Sequence, residues 1–271
     1  MPALILIRGG GDLASGVAMR LYRIGLSVVI AELAQPLAVR RLVSFAEAVY
    51  AGETTVEGVT GRRVSDPGDS LKVLQLLAKG RIPVLIDPEA KSAQLLHPMV
   101  IVDARMTKRP PEPLRHSARL YIGLGPGFIA GDNCHAVIET NRGHRLGRVI
   151  WQGTAQQDTG LPAAVSGQYM RALRAPAEGK VIGLARIGEH VQEAQAVAEV
   201  AGIGVPAPFS GMLRGLIHPE CPVTAGMKIG DVDPRDDPEI CSLVSEKSLA
   251  IGGGVLEAIL SRSELRQTLW K

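Results

Sequence analysis

The sequence predicts an α/β protein: an N-terminal Rossmann-like parallel sheet, then a β-rich segment, then a small pseudo-symmetric β domain. Three observations carry that expectation. The apolar run at residues 3–7 leads directly into Gly9-Gly10-Gly11-Asp12-Leu13-Ala14, which fits G-x-G-x-x-A with Gly9, Gly11 and Ala14. Short apolar runs then alternate with amphipathic helical patterns through the first third of the chain. In the last third, residues 175–181 resemble residues 207–213 without a gap, at an offset of 32 residues. The domains are accordingly expected at 1–115 (nucleotide-binding), 116–174 (a hairpin-containing middle segment) and 175–271 (the β domain with a C-terminal helix).

Each N-terminal element has its own reason. Residues 3–7 are continuously apolar, as in a strand buried on both faces. Gly9 allows a tight turn, Gly11 lets a phosphate approach the backbone, and Ala14 lets the following helix pack closely on the strand. That helix runs from about 12 to 24 and carries Leu13, Val17, Leu21 and Ile24 on one face. Its amino end offers free N–H groups and the positive end of a dipole. Gly25 closes it, and residues 27–31 form a second strand. Glu32 ends that strand, where an acidic side chain can bind ribose hydroxyls. Gly9, Gly10, Gly11, Asp12 and Glu32 are therefore candidate cofactor-binding residues. Arg40 and Arg41 follow closely enough to meet an extra phosphate, so NAD and NADP are not separated. A Rossmann-like domain without a ligand stays open, because fold does not fix function.

Residues 54–64 read as extended, and an amphipathic helix with Leu71, Leu74, Gln75 and Ala78 starts near Asp66-Pro67-Gly68-Asp69. Residues 82–86 and 99–102 are two further apolar strands, followed by Asp87 and Asp103. The carboxyl ends of parallel strands face a ligand crevice, so both aspartates are site candidates, or caps of the next segment.

Residues 105–119 are basic and carry Pro110, Pro111 and Pro113, which reads as a linker or crossing loop. The strand at 120–124 is followed by a second glycine loop, where Gly125 and Gly127 are candidates for backbone contact with a phosphate. Residues 136–139 and 148–151 read as a hairpin joined by 140–145. His135, Glu139 and His144, with Cys134 adjacent, invite a metal site. Strand alternation puts His135 and Glu139 on one face but leaves His144 across a turn, so hydrogen bonding at the hairpin is preferred and no metal is expected.

Composition narrows the function classes. Of the 271 residues, 46% are hydrophobic and 21% charged, the balance of a soluble globular chain, whereas aromatics at 3% leave an aliphatic core and few platforms for base stacking. The net charge of +3 comes without a basic run, so nucleic acid is not an expected partner. The first apolar run is too short to span a membrane and precedes glycines rather than a cleavage site. Three well-separated cysteines, Cys134, Cys221 and Cys241, form no framework and fit a reducing cytoplasm.

In the C-terminal repeat Gly183 matches Gly215, Val191 matches Val223, Val200 matches Val232 and Glu199 meets Asp231. The pattern resembles the barrel-sandwich fold of biotinyl and lipoyl carrier domains. In those carriers the modified lysine lies on the hairpin between the halves. Here residues 201–206 contain no lysine and Lys228 lies in a later turn, so neither biotin nor lipoate is expected. Gly252-Gly253-Gly254 precedes a short apolar helix at 255–260, where the glycines either expose N–H groups to an anion or pack against another element.

Five segments together resemble one family. They are residues 7–14, 123–128 (Gly-Leu-Gly-Pro-Gly-Phe), 137–144 (Val-Ile-Glu-Thr-Asn-Arg-Gly-His), 228–235 (Lys-Ile-Gly-Asp-Val-Asp-Pro-Arg) and 252–258. They are similar to the YqeB-type accessory proteins of selenium-dependent molybdenum hydroxylase systems, over nearly the whole chain. The resemblance implies a role in maturing a molybdenum hydroxylase of the xanthine dehydrogenase type, by handling a nucleotide or the molybdopterin dinucleotide cofactor. The implied partners are the hydroxylase apoenzyme or its cofactor, and a homo-oligomer is compatible with this. It implies no defined catalytic residue. Two alternatives remain. One is an NAD(P)-dependent oxidoreductase, against which no Tyr-x-x-x-Lys pair or poised His or Cys is found; the other is a non-catalytic interaction protein.

Overall fold

Continuous apolar runs become the inner strands of one large sheet. The computed structural model describes residues 3–107, 118–157 and 170–269, together with Pro111 and Gly167. In chain order its first part contains β1 (Leu4–Arg8), α1 (Asp12–Arg23), β2 (Ser27–Glu32), α2 (Glu47–Ala51), β3 (Glu53–Val56), β4 (Val59–Val64) and α3 (Ser70–Ala78). It continues with β5 (Ile82–Ile86), α4 (Ala93–Leu96), β6 (Val100–Asp103), β7 (Leu120–Leu124), β8 (Ile129–Ala130), β9 (Ala136–Ile138), β10 (Val149–Ile150) and β11 (Gly153–Thr154). Nine of these strands form a sheet in the order β10-β9-β7-β6-β1-β2-β5-β4-β3. Every pair from β9 to β4 is parallel, and the two edges, β10–β9 and β4–β3, are antiparallel. The fold is thus mixed α/β. From β1 the chain first builds outward through β2, then returns to place β6 on the other side. The crevice beyond the carboxyl ends of β1 and β6 lies where the strand order reverses, the usual ligand position in an open α/β sheet.

Alternating side chains fill both faces. Ile5, Ile7, Val28, Ile30, Val100 and Val102 pack under α1, and Leu6, Val29, Leu85 and Ile101 pack with Val73 and Leu76 of α3. The middle segment joins the same sheet through β7, β9 and β10 rather than standing apart. Much of the basic, proline-rich stretch falls at 108–110 and 112–117, outside the described residues.

The C-terminal part contains β12 (Ala172–Arg174), β13 (Gly179–Gly183), β14 (His190–Val191), β15 (Ala196–Val200), β16 (Ile203–Pro206), β17 (Gly211–Leu216), β18 (Pro222–Val223) and β19 (Lys228–Asp233). They make two four-stranded sheets, β12-β19-β17-β14 and β16-β15-β13-β18, around one small apolar core. The starts of β13, β14 and β15 recur in β17, β18 and β19 after the 32-residue offset, and the operation that carries one repeat onto the other exchanges the two sheets. The two halves share one apolar core, so each buries its apolar face against the other.

The last helices, α5 (Glu246–Leu260) and α6 (Ser263–Arg266), depart from expectation. The glycine triplet lies inside α5, not ahead of it, and Ser245 caps the helix by accepting the Ser248 N–H at 3.2 Å. No anion can therefore meet free amides at Gly252–254. Nor does α5 stay with the β domain. It packs on α1, and Ile251, Val255, Ala258 and Ile259 complete the core of the large sheet. Glycine makes that packing close: a Cβ on Gly16 would lie 2.5 Å from the Ser248 Cβ, and one on Gly252 would lie 2.9 Å from the Gly16 carbonyl. Among the described residues no helix is long and apolar enough to cross a membrane. Cys134, Cys221 and Cys241 are buried thiols without disulfides.

Candidate functional site

A cleft of about 740 Å³ opens at the carboxyl ends of β1, β2 and β6, within the size range of small-molecule sites. Its floor is the glycine loop, whose three glycines do different work. Gly9 takes φ +91°, and a Cβ there would meet the Ala104 carbonyl at 3.3 Å, so it serves both the turn and a tight approach to the segment after β6. Gly10 does not line the cleft; a Cβ there would meet the Ala46 nitrogen at 3.0 Å and the Ile30 side chain at 3.2 Å. Gly10 is pinned from beneath, its carbonyl accepting from the Ala46 N–H at 2.9 Å and the Ser15 hydroxyl at 3.2 Å. Gly11 alone faces open space, with nothing within 4 Å of an added Cβ. It is also the cap of α1 and supplies no side-chain acceptor to the first-turn amides of that helix, whose residues Asp12, Leu13 and Ala14 line the cleft.

Glu32 lines the cleft but is committed to the loop. One carboxylate oxygen accepts the Gly10 N–H and the other the Leu33 N–H, both at 2.6 Å. Burial pushes this carboxyl above its ordinary range, and the two amide bonds pull it part of the way back. The expected ribose contact is therefore secondary to holding the loop in shape. Glu32→Gln replaces one acceptor by a donor facing an N–H, and is expected to cost about 1–3 kcal/mol. Thermal denaturation, with hydrogen exchange at the Gly10 amide, checks this; an unchanged melting temperature and unchanged exchange refute it.

Asp12 sits in the first turn of α1 and is 3.5 Å from an Arg40 guanidinium nitrogen. Arg40 is 8% exposed, and its Nη2 also donates to the Ile240 and Leu243 carbonyls at 3.0 and 3.1 Å. Burial lowers the guanidinium's hold on its proton, Asp12 restores some of it, and the nearby Arg214 charge lowers it further. Arg41, expected beside Arg40 at a phosphate, turns away: its Nε donates to the Leu216 carbonyl at 2.7 Å and its Nη1 pairs with Glu47 at 2.8 Å. Arg41 thus ties the β domain to the sheet.

Three further cations complete the walls. Arg105 follows β6, and Arg214 and Lys228 arrive from β17 and β19. Against Asp12 and Glu32, the lining therefore carries Arg40, Arg105, Arg214 and Lys228, a positive excess. Sequence spacing assigned none of these three to the cleft; Arg105 enters with the end of β6, and Arg214 and Lys228 because the β domain docks here. Of the two aspartates that end strands, Asp87 is a cap, accepting the Lys91 and Ser92 N–H groups at 2.9 and 2.8 Å. Asp103 instead anchors a buried network, accepting from the Tyr121 hydroxyl at 2.8 Å and from the Arg105 Nη2 at 2.7 Å, with Arg8 3.4 Å away.

The second glycine loop does not join the cleft. Gly125 takes φ +74° and donates to the Ile138 carbonyl at 2.9 Å, and a Cβ there would strike the Thr140 hydroxyl at 2.4 Å. Its reason for being glycine is strand packing. The carbonyl of Gly127 accepts from the Asn133 amide at 3.2 Å. Neither lines this cleft. His135 and Glu139 also have structural partners: the Nδ1 of His135 accepts the Tyr121 N–H at 2.9 Å, and Glu139 accepts from the Asn141 and Gln156 amides at 2.7 and 2.8 Å. No group of metal-ligating side chains occurs among the described residues.

No family model matches the chain. A crystal structure of an aspartoacylase family protein from Mesorhizobium loti aligns over 87% of this chain and 86% of that one, at 14% identity and a TM-score of 0.28, too low to bear on fold or activity. The chain is 45% identical over 258 residues to the uncharacterized protein YqeB of Escherichia coli K12, covering 95% of its own length. It spans about half of that relative, 47% of its length. On that identity the chain belongs to the YqeB-type family.

Proposed function

We propose that the cleft binds a phosphorylated, nucleotide-type cofactor and that the protein is an accessory factor in the maturation of a molybdenum hydroxylase of the xanthine dehydrogenase type. The observation that carries the binding reading is Gly11. It faces open space at the amino end of α1, in a cleft that four cationic side chains also line. Helix-terminal amides and arginines together are the usual reception for a phosphate ester. The position at the reversal of strand order supports a Rossmann-type site, and the exchange of the two small sheets supports a barrel-sandwich reading of the β domain, whose outer surface would engage the partner enzyme. The molybdopterin dinucleotide is the ligand favoured by the family resemblance. Selenium-dependent systems are the setting that resemblance names.

Gly11 supplies the test. Its φ of −66° suits any residue and its Cβ position is empty, so Gly11→Val is expected to leave the melting temperature unchanged. The valine fills the space a phosphate would take, so affinity is expected to fall on the order of 100-fold, or about 2.7 kcal/mol. Native mass spectrometry of the freshly purified chain and titration with cytidine, adenine and nicotinamide dinucleotides measure it. A wild-type protein that retains and binds none of these, or a Gly11→Val variant that binds as well, overturns the reading.

A further inference from the structure

The glycine loop is only one side of the cleft. The other is a charged wall built by the β domain. Arg214 on β17 is 8% exposed; its Nε donates to the Asp231 carboxylate at 2.8 Å and its Nη1 lies 3.1 Å from Asp233. Arg171 and Arg235 also reach Asp233, at 3.3 and 2.8 Å, and Lys228 stands 3.5 Å from Asp231. Four cations therefore surround two carboxylates, and two of the four, Arg214 and Lys228, open onto the cleft. Arg40 lines the same cleft, close enough to Arg214 to feel its charge. Among the described residues the buried Nε atoms of Arg40 and Arg171 have no hydrogen-bond partner. Buried donors left unpaired are costly, and the cations that line the cleft, Arg40, Arg105, Arg214 and Lys228, outnumber its carboxylates, Asp12 and Glu32, a balance that an anionic ligand would complete.

We propose that this wall is a second anion subsite, so that the ligand carries two linked phosphates, one at the glycine loop and one held by Arg40, Arg214 and Lys228. The inference rests on the phosphate reading of the loop. It narrows the ligand from any nucleotide to a diphosphate ester and makes the β domain half of the binding site. A mononucleoside monophosphate would fill only the loop half and leave the wall uncompensated.

The test is calorimetric, on the full chain, with orthophosphate, pyrophosphate, CMP and CDP as probes. Pyrophosphate and CDP are expected to bind at least about tenfold tighter than orthophosphate and CMP, one decade of affinity per added phosphate contact. Lys228→Ala, at a half-exposed side chain, is expected to abolish that preference; Lys228→Arg, which keeps the charge, is expected to retain it. Equal affinities for mono- and diphosphates, or a preference untouched by Lys228→Ala, overturns the second subsite while leaving the loop reading standing. A diphosphate preference that needs Lys228 but ignores Gly11→Val supports the wall and overturns the loop reading. Failure of all four probes overturns both.

Discussion

Asp233→Ala is expected to destabilise the protein by about 3–5 kcal/mol, the usual cost of stripping one partner from a buried ion-pair cluster. The carboxylate is fully buried and accepts from Arg235 through Nε and Nη2, both at 2.8 Å. Arg171 and Arg214 approach the same group at 3.3 and 3.1 Å. Alanine would leave Arg171, Arg214 and Arg235 without their shared acceptor, with Asp231 still paired to Arg214. The pH dependence has a definite sign. Burial pushes the Asp233 carboxyl up, but the Arg235 hydrogen bonds and the Arg214 charge outweigh it and hold the pKa below its ordinary 3.8. A depressed folded-state pKa gives stability that is complete above the unfolded value and is lost as pH falls through the folded one. Wild-type protein should therefore lose stability below about pH 4, and Asp233→Ala should be less stable near neutrality but show a flatter acid limb. Urea midpoints between pH 7 and pH 3 decide it. Parallel curves for the two proteins would show that Asp233 is not the carboxylate that titrates with folding.

The same cluster marks where sequence reasoning reached its limit. Elements within a repeat or a βαβ unit were legible, because apolar period, glycine and chain order are local signals. The strand at 120–124, the hairpin strands near 136–139 and 148–151 and the 32-residue repeat all lie where the pattern puts them. Docking of one unit on another is not local. The repeat nevertheless carried a usable trace. At the shared offset Arg214 stands opposite Ile182, Lys228 opposite Ala196 and Asp233 opposite Ala201, so charge appears in one copy where the other is apolar or small. That asymmetry has a physical cause. β17 is buried throughout against residues 39–41, a Cβ on Gly215 meeting the Val39 carbonyl at 2.8 Å, whereas its counterpart β13 is largely exposed. Departures from an internal symmetry would have located the second wall of the cleft. Glu32 illustrates the opposite case: an acid at the end of the second strand was legible, but its hydrogen bonds to Gly10 and Leu33 depend on rotamers that spacing does not encode.

The glycine triplet of α5 yields a prediction of two signs within neighbouring positions. Three glycines in a row depress helix propensity, which is why the helix is hard to see from sequence; tertiary packing overrides the penalty. At Gly254 an added Cβ would lie 2.1 Å from the Gly147 carbonyl oxygen and 2.9 Å from the Ile138 side chain. The obstacle is backbone, and the backbone cannot retreat, because Gly147 itself holds φ +78° with its own Cβ position 2.6 Å from the Ala250 carbonyl. Gly254→Val must therefore lift α5 from β9 and the turn before β10, at an expected cost of about 3 kcal/mol, the upper part of the range for overpacking. Gly253 is in the same helix, but its Cβ position is empty. Gly253→Ala is expected to stabilise by about 0.5–1 kcal/mol, the ordinary difference between glycine and alanine in a helix interior. Chemical denaturation of both variants against the parent measures the pair. Two stabilising substitutions would mean that α5 does not sit on Gly147 as described. Two destabilising ones would mean that the exposed side of the helix also has a partner, and only opposite signs match a helix whose glycines alternate between contact and solvent.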